Sequence, residues 1–252
     1  MKVHTLALIL GALVLEFSLF AQDASKSGEG ERKISMTDCK EIKVNGAWEV
    51  EIVPSKDSDC VLKGDESILQ KLRIQKRNGI LAVQAKGLFS SERKGTIKIP
   101  LDNLPLQNRF SGASKISIQG ELKKDTRWTL TGGASLEIEK ISAQRLSVHA
   151  NDTCSVTIRQ GSLGKASFHL SKNAKADLNG SFNHISIRTS GDAKADVKTC
   201  ADACVSARNN SVITIACTKT LNAVCFNEGQ VIYSGSPVLT QKASNGGRIV
   251  KK

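Results

Sequence analysis

Aromatic residues are scarce in this chain: seven phenylalanines, two tryptophans and one tyrosine among 252 residues. Trp48 and Trp128 share the parity of their apolar neighbours, which assigns both to a core before a sugar-stacking platform. Catalytic signatures are missing as well, since no nucleophile elbow, phosphate loop, metalloprotease helix or calcium-binding nonapeptide occurs. The carboxylate pair Asp177 and Asp196 has Lys175 and Lys194 beside it, which would hold both ionised and leave no general acid. No apolar run reaches the ~20 residues of a membrane-spanning helix. These gaps disfavour an enzyme, and no cofactor, metal or specific nucleic-acid partner is expected.

What the chain has in excess is positive charge, 36 Lys and Arg against 24 Asp and Glu, for a formal net charge of +12. Charge of this size speaks to solubility and to association with anionic partners, such as acidic glycans or lipid head groups, and not to fold. The N-terminus reads as an export signal over residues 1–21: Lys2, an apolar stretch from Leu6 to Leu15, and a cleavage point at Phe20-Ala21-Gln22. No cysteine lies near position 22, so cleavage is expected and lipidation is not. Residues 22–35 begin rich in Ser, Gly, Lys and Glu without apolar periodicity and are expected to form a flexible leader.

The rest of the chain is organised by a repeat. Apolar-x-apolar pairs recur at Ile116/Ile118, Leu136/Ile138, Val156/Ile158, Ala176/Leu178, Ala195/Val197, Ile213/Ile215 and Val231/Tyr233, with starts 18 to 20 residues apart. A near-constant period of this length marks a solenoid, because one unit cannot bury its apolar side alone and must stack on its neighbours. A second alternating segment lies in each period, as at Trp128/Leu130, Leu146/Val148, Phe168/Leu170 and Ile185/Ile187. Small-residue corners such as Gly132-Gly133-Ala134-Ser135 stand between the two. The sequence therefore predicts an all-β protein, a parallel β-helix with rungs of 18 to 20 residues over 106–252, preceded by a less regular β-rich part over 36–105. Within that part Asn78-Gly79 signals a hairpin, and Asp65 to Lys71 a helical turn. The irregular part is read as beginning or capping the solenoid, shielding a sheet edge.

The order of these motifs carries a resemblance. Asn45-Gly46-Ala47-Trp48-Glu49-Val50, Lys63-Gly64-Asp65-Glu66-Ser67-Ile68-Leu69, Arg77-Asn78-Gly79-Ile80-Leu81, Ile97-Lys98-Ile99-Pro100-Leu101, the Gly-Ala-Ser corners and the ending Ile232-Tyr233-Ser234-Gly235-Ser236-Pro237 are together similar to the head GIN domain family of auto-transporter adhesins. The resemblance covers Met36 to Lys252 and implies an exported bacterial β-helical protein of the cell envelope. It brings no catalytic or ligand residues with it.

The outward columns suggest where a partner would bind. Lys115, Lys172, Lys175 and Lys194 are the candidate basic face, with Lys175 expected to stack on Lys194 and Asp177 on Asp196. His149 and His169, 20 residues apart, are expected to stack likewise. Seven cysteines in an exported chain suggest disulfides. Cys200 projects beside Cys217, and Cys39 and Cys60 flank the first strand pair, so these are the candidate pairings. Zinc held by Cys200, Cys204, Cys217 and Cys225 is disfavoured by their loose spacing. The expected function is an exported, adhesin-like binding protein of the periplasm or outer cell surface, or secreted, presenting a basic face to anionic glycans or envelope surfaces. A structural envelope protein without a ligand, or a polysaccharide-active enzyme, are the alternatives.

Overall fold

The computed structural model describes residues 28–85 and 95–252; the expected signal segment and residues 22–27 of the leader lie outside the described residues. The described chain opens with β1 (Glu29–Ser35), β2 (Glu41–Asn45), β3 (Trp48–Val53) and β4 (Asp59–Asp65). One helical turn follows, α1 (Glu66–Leu69), capped where Asp65 Oδ1 accepts from the Ser67 N–H at 2.8 Å. Next come β5 (Leu72–Arg77), β6 (Ile80–Ala85) and β7 (Gly95–Pro100). The periodic region gives β8 (Gln107–Ser111), β9 (Lys115–Leu122), β10 (Thr126–Thr131), β11 (Ser135–Ile141) and β12 (Arg145–Ala150). Four long strands turn the bend between segments without a break: β13 (Ser155–Lys172), β14 (Lys175–Gly191), β15 (Lys194–Arg208) and β16 (Val212–Phe226). The chain ends on β17 (Gln230–Ser234), β18 (Val238–Ser244) and β19 (Arg248–Lys251).

These strands form two parallel ladders. Wall A stacks β6, β2, β8, β10 and β12, then the second halves of β13 to β16, then β18. Wall B stacks β7, β3, β9 and β11, then the first halves of β13 to β16, then β17 and β19. The chain runs up wall A, turns a small-residue corner into wall B, and bends back to wall A one coil further on. Inward residues such as Leu136, Ile138, Val156 and Ile158 on wall B and Trp128, Leu130, Leu146 and Phe168 on wall A are no more than 2 % exposed. Burial of each such side chain contributes roughly 1.5–3 kcal/mol, and stacking it on the equivalent positions of adjacent coils makes the coils mutually dependent.

The solenoid starts earlier than residue 106. β2 and β3 pair in parallel with β8 and β9 on one side and with β6 and β7 on the other, so the irregular part supplies two coils of the same stack. The excursion through β4, α1 and β5 breaks the spacing, which is why no constant period marks them. Beyond the β6–β7 coil the parallel stack gives way to antiparallel strands, β5 on β6 and β4 on β7, which cover an edge that would otherwise be open to intermolecular pairing. The β5–β6 connection is the two-residue turn Asn78-Gly79, with φ of 54° and 74° at its two positions.

The leader also ends sooner than composition suggests. Glu29–Ser35 is strand β1, antiparallel to β4 from Glu29 opposite Asp65 to Ser35 opposite Asp59. It is held by polar contacts such as Lys63 Nζ to Glu31 Oε2 at 2.9 Å, and neither of its faces is fully buried, so its sequence carries no apolar alternation to reveal it. Among the described residues no helix is long and apolar enough to cross a membrane.

Candidate functional site

The repeat constrains the inward side chains and leaves the outward ones free to differ. On wall A the outward positions form rows across the coils. One row runs Arg145, Lys165, His184, Asp202 and Thr220; the next, two residues along each strand, runs Gln107, Arg127, Ser147, Ser167, Ser186 and Cys204. Because the second row is mostly small, the long side chains of the first stand above it. The result is a groove of about 710 Å³ along wall A, lined by both rows. A third row, Thr129, His149, His169 and Arg188, lies beyond the serines.

The electrostatics of this face are uneven. Arg145 is committed: its Nε donates to Asp125 Oδ2 and its backbone N–H to Asp125 Oδ1, both at 2.8 Å. The Arg145 guanidinium thereby holds the Asp125 carboxyl below its ordinary range. Asp202 Oδ1 accepts from Thr220 Oγ1 at 2.6 Å, and its Oδ2 lies 3.4 Å from His184 Nδ1. Arg127, Lys165 and Arg188 have no ion-pair partner among the described residues. His149 and His169 stack as the sequence predicts, ring centroids 4.6 Å apart. Burial, then His149 and Arg188, push the His169 imidazole below its ordinary value.

The lysines singled out from the sequence are placed elsewhere. Lys175 and Lys194 are register neighbours on wall B, with Asp177 and Asp196 paired beside them. Lys115 stands in the same column but is separated from Lys175 by Ser135 and Ser155. Lys172 sits at a corner with Nζ 2.5 Å from Asp152 Oδ1, and this ammonium is the main cause of the lowered Asp152 carboxyl. The structure therefore stacks Lys175 on Lys194, sets Lys115 off from them by two intervening rungs, and commits Lys172 to Asp152. The wall A row was present in the sequence as Arg145, Lys165 and His184 at 20- and 19-residue spacing, in the outward phase of the second segment.

All seven cysteines are free thiols in this structure. Cys39 Sγ donates to the Glu41 carbonyl at 3.2 Å, while Cys60 is buried and its thiol is pushed up to about 12 by desolvation. Cys204 is exposed in the groove whereas Cys200, Cys217 and Cys225 point into the core, so the four thiols do not converge on one centre. Cys200 and Cys217 are direct register partners, a shift in the ladder having closed the one-residue offset. Their thiols donate to Ala216 O at 3.3 Å and Ala201 O at 3.2 Å, respectively. Adjacent parallel rungs place Cα atoms ~4.8 Å apart, inside the disulfide range, and a bond there would close a loop worth about 3 kcal/mol. Mild oxidation is accordingly expected to link this pair and raise the denaturation midpoint, with Cys200→Ser abolishing the shift. Peptide mapping that finds both thiols free after oxidation would remove the pairing.

Several solved structures of bacterial proteins share the fold at low identity. One described as a "putative lipid binding protein" from Parabacteroides distasonis superposes with a TM-score of 0.78 at 16% identity, covering 90% of this chain and 98% of the other. A "putative adhesin" from Parabacteroides merdae gives 0.76 at 15%, covering 90% and 97%. One from Bacteroides fragilis gives 0.65 at 16%, covering 89% and 96%. Such identities establish the fold alone. No curated protein sequence matches the chain. The family model described as "Putative auto-transporter adhesin, head GIN domain" matches residues 38–237, and the chain belongs to that family.

Proposed function

We propose that this protein is an exported, non-catalytic, adhesin-like binding protein of the cell envelope that holds anionic glycans or anionic surfaces against wall A. The observation that carries the reading is the groove itself, where Lys165 beside the row of hydroxyls and Arg127 in line with it stand without carboxylate partners among the described residues. Support comes from family membership, the +12 charge and the N-terminal export pattern. On wall B the comparable cations alternate with Asp177 and Asp196, which weakens the field there. At ~0.15 M salt attraction reaches only ~8 Å, so a clustered set of cations outweighs a larger but scattered one.

Retention on immobilised heparin across a salt series tests this reading. The Arg127→Glu/Lys165→Glu variant is expected to elute at lower salt and to bind at least tenfold more weakly, about 1.4 kcal/mol. The Lys175→Glu/Lys194→Glu variant should change retention far less. Equal losses in the two variants would show that the charge acts diffusely and that wall A is no site.

A further inference from the structure

We infer that the ligand is a linear polyanionic glycan lying along the solenoid axis, with about one sugar unit against each coil. This inference rests on the binding reading above and narrows it. The groove extends from Gln107 to Thr220, six rung steps, or about 29 Å at ~4.8 Å per step. An open groove of that length suits one extended chain better than a compact headgroup. The rise per coil also approximates the length of one pyranose unit in a linear polysaccharide, so groups on successive sugars meet equivalent rows.

The chemistry of the rows points the same way. Ser147, Ser167 and Ser186 each both donate and accept, which matches neutral sugar hydroxyls. Lys165 and Arg127 stand beside them for carboxylate or sulfate groups. Leu146, Ala166, Ile185 and Ala203 lie between the rows and are themselves buried, so the outward rows carry the polar chemistry of the groove. Asp125 and Asp202, towards the two ends, are already engaged by Arg145 and by Thr220 and His184. Repulsion of an anionic chain is thereby reduced at the Asp125 end, while Lys165 in the middle stands unpaired among the described residues.

Calorimetry with heparin oligosaccharides of increasing length, on the protein without its signal segment, tests the inference. Affinity is expected to rise with each added unit until the chain spans the groove, at about six units, and then to level off. Ser167→Tyr, which blocks the groove at mid-length from an exposed position, should weaken the longest oligosaccharide at least tenfold and spare the disaccharide. On the unaltered chain, long oligosaccharides should protect Cys204 from alkylation and the disaccharide should not. If the disaccharide, or inositol hexakisphosphate as a compact polyanion, binds as tightly as the longest chain, the linear ligand is overturned while the binding groove stands. Tighter binding of anionic vesicles, untouched by Ser167→Tyr, overturns it in favour of a membrane surface. If Arg127→Glu/Lys165→Glu leaves the longest oligosaccharide unaffected, the groove itself fails as the site.

Discussion

Replacing Trp128 by alanine is expected to destabilise the protein by about 3–5 kcal/mol. The indole is fully buried in β10, between Asn108 on the preceding coil and Val148 on the next. It stacks on Phe110 with centroids 6.0 Å apart and planes 20° from parallel. Its Nε1–H donates to Thr126 Oγ1 at 3.0 Å, so truncation also strips a buried hydroxyl of its partner. The coils on either side are pinned by their ladders and cannot close over the lost volume, which places the expected cost in the range for an uncollapsed cavity. The thermal midpoint should fall by roughly 6–20 °C. Hydrogen exchange should quicken chiefly in β8 to β12, because a solenoid transmits a defect mainly to its nearest coils. A loss below ~1 kcal/mol, or exchange that quickens equally in β15 and β16, would mean that this ring is not the keystone between the irregular coils and the periodic ones.

Gly161→Ala is expected to be comparably severe, about 3 kcal/mol or more, although it adds one methyl group. Gly161 lies at the bend inside β13, where φ is 139°, a conformation that L side chains rarely adopt. A Cβ built there would stand 2.0 Å from the Ile141 carbonyl oxygen and 2.8 Å from the Ile141 nitrogen of the coil below. Both obstacles are backbone atoms on a register partner, so relief requires the two coils to separate at the bend. Gly28→Ala is the control, since nothing lies within 4 Å of its added methyl and the change should stay within ~0.5 kcal/mol. Denaturant midpoints for the two variants decide the matter. Similar values would show that the bend accommodates a side chain and that its glycine is incidental.

Several elements were legible from residue order because each rests on a local rule. The Asn78-Gly79 hairpin follows from the left-handed turn those residues tolerate, and the helical turn at Glu66 from its aspartate cap. The stacking of Lys175 on Lys194, Asp177 on Asp196 and His149 on His169 follows from the period alone. Other features resisted the same treatment. β1 has no buried face, so hydropathy could not mark it, and the β2–β3 coil is separated from its wall partners by an excursion that erases the period. Phe226, outward by parity, is covered by the Arg208 guanidinium 5.4 Å above its ring, a contact that only the third dimension supplies. The asparagine ladder through Asn209, Asn227 and Asn245 keeps the 18-residue period, and the structure adds the side-chain amide bonds from corner to corner at 3.2 and 3.4 Å.

The sequence by itself determined the fold class, the rung length, which face of each strand is buried and the excess of positive charge. Those properties are sums or periods, and an apolar residue every second position has one place to go once coils must stack. The tertiary structure decided which of the two walls carries a groove, because a groove depends on small side chains in one row beside long ones in the next. It also decided which cations are already spent on carboxylates: Arg145 and Lys172 are, Arg127 and Lys165 are not. Ion pairing joins residues 20 positions apart through rotamers and distances of a few ångström, and no count of charges along the chain contains that information.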